Sequence, residues 1–157
     1  MTASFLILRI DDSRLALPMA AVREVLPLLP IDAPPGLPRP LLGFVTLQGR
    51  PVPVLAPRVL LDPQAQVTGV DLFAHLVRLR HDICLLVDRA EDVATGTAEP
   101  LAPGHSLNAA ITGELPLAGG GTAHVIDPER LLLEGERATL AALTAAAAER
   151  RDQWSAA

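Results

Sequence analysis

Four histidines, His75, His81, His105 and His124, are the side chains of this chain that most readily suggest chemistry. No two of them stand four apart, and Cys84 is the single cysteine, so no metal-ligand spacing is present. They read as scattered surface or half-buried side chains, and no metal site is assigned. A Ser-His-Asp hydrolase is the enzyme class to weigh, because His105 and Ser106 lie beside a Pro-Gly turn. The chain has four serines but no G-x-S-x-G elbow, and adjacent His and Ser side chains rarely point at one another usefully. Gly119-Gly120-Gly121 lacks the Lys and Ser/Thr of a phosphate loop and precedes a strand pattern, not a helix. Asp88, Glu91 and Asp92 could form an acid pair, but they sit where a strand leaves the core, and solvation accounts for them. No catalytic residue and no cofactor follow. The expectation is a protein that is not an enzyme, with a small Ser/His hydrolase as the alternative from another class.

Composition bounds the remaining choices. At 157 residues the chain makes one domain or two small lobes sharing a core, and it needs no metal or disulfide to fold. Half of the residues are hydrophobic, yet they are mostly Leu, Ala and Val, with three Phe, one Trp and no Tyr. An aliphatic balance of this kind suits a packed core better than a surface that stacks bases. The formal charge is −5 and no basic run could neutralise phosphates, which argues against nucleic acid as a partner. No apolar run approaches the ~20 residues of a membrane span, so no direct membrane insertion is expected. Phe5 to Ile10 is too short for a signal-peptide core and is broken by Arg9. The expected location is the cytoplasm. Cys84 lies inside an apolar run and reads as a small core hydrophobe.

The elements that would position any site are short. S-F-L-I-L-R-I and Leu15-Ala16-Leu17 read as two strands around an Asp11-Asp12-Ser13 turn. After Pro18, the spacing of Val22, Val25 and Leu26 predicts a short helix, ended by Pro27 and Pro30, with Val25 facing the core. Asp32 to Pro40 is a stiff, proline-rich loop. G-F-V-T-L-Q-G-R-P-V-P-V-L (43–55) alternates about a Gln-Gly-Arg turn as a hairpin, and 75–79 and 83–87 are further strands. From Asp92 to Gly121 the signals weaken to a short strand at Ile111-Thr112-Gly113, followed by another at Thr122 to Ile126. Asp127, Pro128 and Glu129 open a helix predicted to run to about Gln153, with Leu133, Leu140, Ala147 and Trp154 as a seven-residue seam. Many short strands between turns favour small barrels.

These stretches carry a resemblance. F-L-I-L-R-I-D-D-S-R-L-A-L-P-M-A-A-V-R-E-V, G-F-V-T-L-Q-G-R-P-V-P-V-L, I-C-L-L-V-D-R-A-E-D-V and I-T-G-E-L-P-L with H-V-I-D-P-E-R-L-L resemble, in order, the CheW family of chemotaxis coupling proteins. The resemblance implies a mainly β fold: two intertwined SH3-like five-stranded β-barrels over residues 1–133, with a C-terminal helical extension over 134–157. It implies a non-catalytic adaptor between the cytoplasmic tip of a methyl-accepting chemoreceptor and the regulatory domain of a CheA-type histidine kinase. A related alternative is a divergent scaffold for a non-chemotactic pathway such as pilus-based motility. Carried over position by position, Val22, Glu24 and Val25 flank the family's receptor groove. Gly43, Leu47 and Gly49 line its other side, and Val87 and Asp88 match the V-D step of the second lobe. Glu24 and Gln48 are the polar contacts expected, and Arg58 matches a family arginine.

Two departures bear on coupling. Gln48 stands where the family usually has an arginine, and Ala56 where it has an aspartate, so an ion pair between those positions would be lost from both ends. Pro51 and Pro53 remove two donors from one side of their strand, which predicts an edge or bulged strand that resists casual pairing. We predict that Gln48→Arg tightens receptor or kinase binding while stability changes by no more than ~0.5 kcal/mol. A titration giving equal or weaker affinity removes Gln48 from the contact surface.

Overall fold

A computed structural model describes residues 2–62, 64–65, 71–101 and 109–155. His105 and Ser106, the pair behind the hydrolase alternative, lie outside them. The strands are β1 (Ala3–Ile10), β2 (Ser13–Pro18), β3 (Val22–Pro27), β4 (Leu41–Leu47), β5 (Arg50–Leu55), β6 (His75–Leu79), β7 (Cys84–Val87), β8 (Arg89–Gly96), β9 (Glu99–Pro100), β10 (Ile111–Pro116) and β11 (Thr122–Ile126). Helix α1 is Pro57–Leu61 and helix α2 is Glu134–Ser155. No described helix is long and apolar enough to cross a membrane.

Two sheets divide these strands, in the orders β8-β1-β2-β11-β10-β9 and β3-β6-β7-β5-β4. The lobes exchange strands. β3 follows the β1–β2 hairpin along the chain but pairs with β6, whereas β8 follows the β6–β7 hairpin but pairs with β1. Each lobe then closes with its own hairpin, β4–β5 or β10–β11, joined to the first hairpin by one parallel pairing. The first five strands of the longer sheet thus repeat the pairing pattern of the other, although the sequence shows no convincing repeat. The two-residue β9 gives that sheet a sixth strand, and its counterpart in the other lobe is the single bridge between Asp32 and Phe44.

Period-two alternation explains how short strands fill three cores. Phe5 and Ile7 of β1 enter the core of the first lobe, and Leu6, Leu8 and Ile10 enter a core shared by both lobes. In the second lobe Leu76 and Cys84 face inward with Val45, Val52 and Val54, while Val77, Leu79, Leu85 and Val87 join the shared core. The near-continuous apolar run of 83–87 is thus covered on both faces. Cys84 is fully buried, and burial pushes its thiol up to about 11, so it is a core hydrophobe with little thiolate.

Three expectations are corrected. Residues 22–26 are not helical: a 3-10 turn at Met19–Ala21 leads directly into β3. Eight residues between Pro18 and Pro27 are too few to offset helix nucleation, and β6 offers them an edge to pair with. Asp127 does act as a cap, accepting a hydrogen bond from the Glu129 amide at 3.0 Å, but it caps only the 3-10 turn Pro128–Arg130. The long helix starts at Glu134, where the Glu136 carboxylate accepts from the Leu133 amide at 2.7 Å. Leu140 is buried and Leu143 and Ala147 are half-buried, whereas Leu133 is exposed and outside the seam. Finally, β5 lies inside the sheet order, between β7 and β4. Its parallel pairing with β7 covers only Val54 and Leu55, so the half that carries Pro51 and Pro53 extends past β7 and is an edge there.

Gly43 is fixed by this architecture. A Cβ on it would lie 2.4 Å from the Asp32 carbonyl oxygen, and its φ of +150° is one that side chains rarely adopt. The bare position admits the backbone of Asp32, which exchanges two 2.8 Å hydrogen bonds with Phe44. Gly43→Ala is expected to cost about 2–3 kcal/mol in urea unfolding. Wild-type stability in that variant would show that the loop can withdraw freely.

Candidate protein-binding surface

The exchanged strands β3 and β8 are the outer strands of their sheets, and they carry the same local pattern. β3 has a register shift between Val22 and Glu24, and β8 has the matching shift between Ala90 and Asp92. V-R-E-V and A-E-D-V therefore place an acid and then a valine at equivalent positions after each bulge. Val25 is 43% exposed and Val93 51% exposed. Both exposures are large for a β-branched side chain on a paired strand, so these residues mark surface, and Val25 is not buried in the core as the helical reading required.

His75 draws these strands together. It is the register partner of Pro27 in β3, and its Nδ1 accepts a hydrogen bond from the Ala90 amide of β8 at 3.0 Å. Immediately before it, Leu72 and Phe73 are exposed, with the Phe73 ring 5.5 Å from the Arg89 guanidinium. Arg89 also donates to the Phe73 carbonyl oxygen. Four of the five exposed large apolar side chains among the described residues thus lie within a few positions of one residue. Such a cluster on a small domain is what a protein contact uses.

The polar rim is organised by Arg78, the buried charged residue of the second lobe. Its guanidinium donates to Asp82 at 2.8 and 3.2 Å and to Glu24 at 3.3 Å, and Asp82 accepts again from Arg23 at 3.0 Å. Burial alone would lower its pKa, but the two carboxylates outweigh that, and the net direction is upward. Glu24, expected as a partner contact, is therefore first an internal counter-ion, although its side chain is 43% exposed. In the other lobe Arg14 pairs with Glu91 at 3.1 Å.

The remaining sequence-derived positions separate into different roles. Val22, Leu47 and Val87 are buried. Gln48 and Gly49 form the β4–β5 turn with φ of +51° and +77°, and two strands, β6 and β7, stand between that hairpin and β3 in the sheet order. Arg58 and Asp88 do come together. Arg58 pairs with Asp11 at 2.6 Å and reaches Asp88 at 3.8 Å, while Asp88 accepts from the Asp11 amide at 2.7 Å. This cluster joins α1, the β1–β2 turn and the crossover into β8. It is an internal brace between lobes. Val93, Leu72 and Phe73 escaped the sequence reading; an apolar residue after an acid pair in A-E-D-V, echoing V-R-E-V, was the available signal. Among the described residues no group of His, Cys, Asp and Glu could hold a metal ion.

The profile of the CheW-like domain family matches residues 4–136. Among solved structures, the scaffolding protein TtCheW from Thermoanaerobacter tengcongensis superposes with a TM-score of 0.72 at 18% identity, over 86% of this chain and 91% of that one. No curated protein matches.

Val25→Ala is expected to leave stability within ~0.5 kcal/mol of wild type, as for other exposed side chains. Asp82→Asn, which keeps the backbone geometry but removes the charge facing buried Arg78, is expected to cost about 1–2 kcal/mol. Urea unfolding of both variants checks this, and a larger loss in Val25→Ala than in Asp82→Asn would overturn the assignment of exposed valine and anchoring carboxylate.

Proposed function

The chain belongs to the CheW-like domain family, a family of non-catalytic scaffold proteins, and we propose that it couples the cytoplasmic tip of a chemoreceptor to the regulatory domain of a CheA-type histidine kinase. The observation that carries this reading is the pair of equivalent, exposed valines, Val25 and Val93, on the two exchanged strands. With Leu72 and Phe73 they give an apolar strip flanked by acids, where neither lobe alone would supply both sides. A receptor tip with an apolar stripe would bury that strip, and the rim carboxylates would orient it.

In this reading the adaptor works in the cytoplasm and contributes geometry alone. Its residues 1–133 are the coupling domain, and 134–157 are an extension. Val22 and Val87 support the contact surface from the shared core, Leu47 packs the core of the second lobe, Gly43 shapes β4 at the far end of that sheet, and the Arg58–Asp88 brace keeps the lobes in register. Gln48 at the β4–β5 turn and the lost carboxylate at Ala56 favour a partner other than the family's usual one. A scaffold of a non-chemotactic pathway such as pilus-based motility is therefore the second reading.

We predict that the full chain retains both a kinase regulatory domain and a receptor-tip fragment in pull-down. Val25→Asp and Val93→Asp should each weaken receptor capture roughly tenfold, as for central apolar contacts, without changing the circular dichroism spectrum. Capture of neither partner by the wild type ends the proposal. Undiminished receptor capture by both variants moves the contact away from β3 and β8.

A further inference from the structure

A second surface lies away from the β3–β8 strip. It is a groove of about 840 Å³ between α2 and the end of the second lobe. One wall is α2 itself, where Ala141, Ala145 and Ala148 follow at helical spacing. The opposite wall is the proline half of β5 and the turn between β6 and β7, over a floor that includes Leu55 and Leu85. Almost all of α2 lies beyond residue 136, where the family match ends.

Backbone chemistry limits what can enter. Pro51 and Pro53 have no N–H to offer, so an extended peptide cannot add as a strand along that part of β5. Shape limits it further. The stretch of α2 from Arg137 to Asp152 lines the groove, and helical rise makes that roughly 22 Å long. The volume then corresponds to a mean cross-section of roughly 38 Å², about half that of an α-helix roughly 10 Å across. A helix resting half-sunk fits, and the alanine wall allows its axis to approach α2 to roughly 8 Å.

Charge selects the flanks of that helix. Arg50, Arg137 and Arg151 stand on the groove, and none is paired with a carboxylate among the described residues. Arg137 donates to the Glu129 carbonyl oxygen, and Arg151 to the Thr46 hydroxyl at 3.0 Å; both acceptors are neutral. Asp82 is already held by Arg78 and Arg23, which leaves Asp152 as the opposing charge. Partial burial and the field of Arg137 together hold His81, on the same groove, below its ordinary pKa. Three arginines against Asp152 and the already paired Asp82 give the groove a local excess of cationic side chains in a chain whose formal charge is −5.

We propose that this groove docks an amphipathic α-helix of a partner protein, with small or aliphatic residues against the Ala141–Ala148 wall and Asp or Glu facing Arg50, Arg137 and Arg151. The site uses no residue of the β3–β8 strip and does not depend on the receptor-and-kinase reading. The test uses the full chain and a fluorescein-labelled peptide of about four helical turns, with Leu and Ala on one face and Glu on the flanks. A matched peptide carries Lys in place of Glu. Anisotropy should show binding of the acidic peptide and roughly tenfold weaker binding of the basic one. Arg50→Glu and Ala145→Leu, both at exposed positions, should each weaken the acidic peptide roughly tenfold with the helical spectrum intact. Absent binding, equal binding of the two peptides, or affinity unchanged in both variants overturns the proposal. So does sedimentation showing a dimer of this chain that Arg50→Glu dissolves, which would make a second copy the occupant.

Discussion

The structure depends on a few strands being apolar on both faces. β1, β6 and β7 each send alternate side chains into the core of one lobe and the intervening ones into the core between lobes. Burying one such aliphatic side chain contributes about 1.5–3 kcal/mol. Removing either lobe would therefore expose half of every shared strand. Strand exchange follows the same constraint. With β3 on the second lobe and β8 on the first, the crossover into β8 is tied by the Asp11–Arg58–Asp88 cluster, and the crossover into β3 by Arg80, which donates to the Ala20 and Ala21 carbonyl oxygens. The lobes are halves of one folding unit in energetic terms.

Exchange also explains what a reader of the sequence could and could not see. Strands with two apolar faces announce themselves, and so β6 and β11 were legible to the residue. β8 was not, because a strand whose outer face meets solvent and whose inner contact is mostly Ala, Thr and Gly has no apolar period to detect. Its conformation is imposed by pairing with seven residues of β1 rather than by propensity. The misread of 22–26 has the converse origin. Val22, Val25 and Leu26 have helical spacing, but the bulge at Arg23 resets the alternation, so that Val22 and Val25 fall opposite Leu79 and Val77 on one face, Val22 buried and Val25 left half-exposed. A one-residue insertion in register is invisible without its partner strand. The contact surface inherits both difficulties: Glu24 and Val25 were identified by resemblance, whereas Val93 required the pairing of β8 to be known.

Arg78 shows how polar chemistry was fitted into this scheme. It shares a strand face with Leu76 and opens onto the mouth of the second lobe, opposite Cys84 in register. A buried guanidinium left alone would cost several kcal/mol. Asp82 from its own hairpin turn and Glu24 from the exchanged strand satisfy it together. The acid on β3 therefore fastens the exchanged strand to the lobe it visits, and only the outward part of the same carboxylate is left for a partner. Glu24 thus has a role inside the fold, which is why a polar side chain in a family-matched position is not by that fact a contact.

Two margins of the molecule consequently resist strand addition by different means. On β3 and β8 the outer backbone groups are unpaired within the sheets, and bulges with flanking acids keep those edges from extending sideways into another sheet. What they present instead is a short apolar strip whose two halves are held at a spacing set by the exchange. On β5 the donors themselves are missing, removed by Pro51 and Pro53, and α2 stands over the gap. Neither margin favours open-ended strand addition, one because its twist is disrupted and the other because its hydrogen bonds cannot be made. Both leave side-chain packing as the means of attachment. For a protein that contributes geometry rather than catalysis, that restriction lets it hold partners without recruiting further sheets.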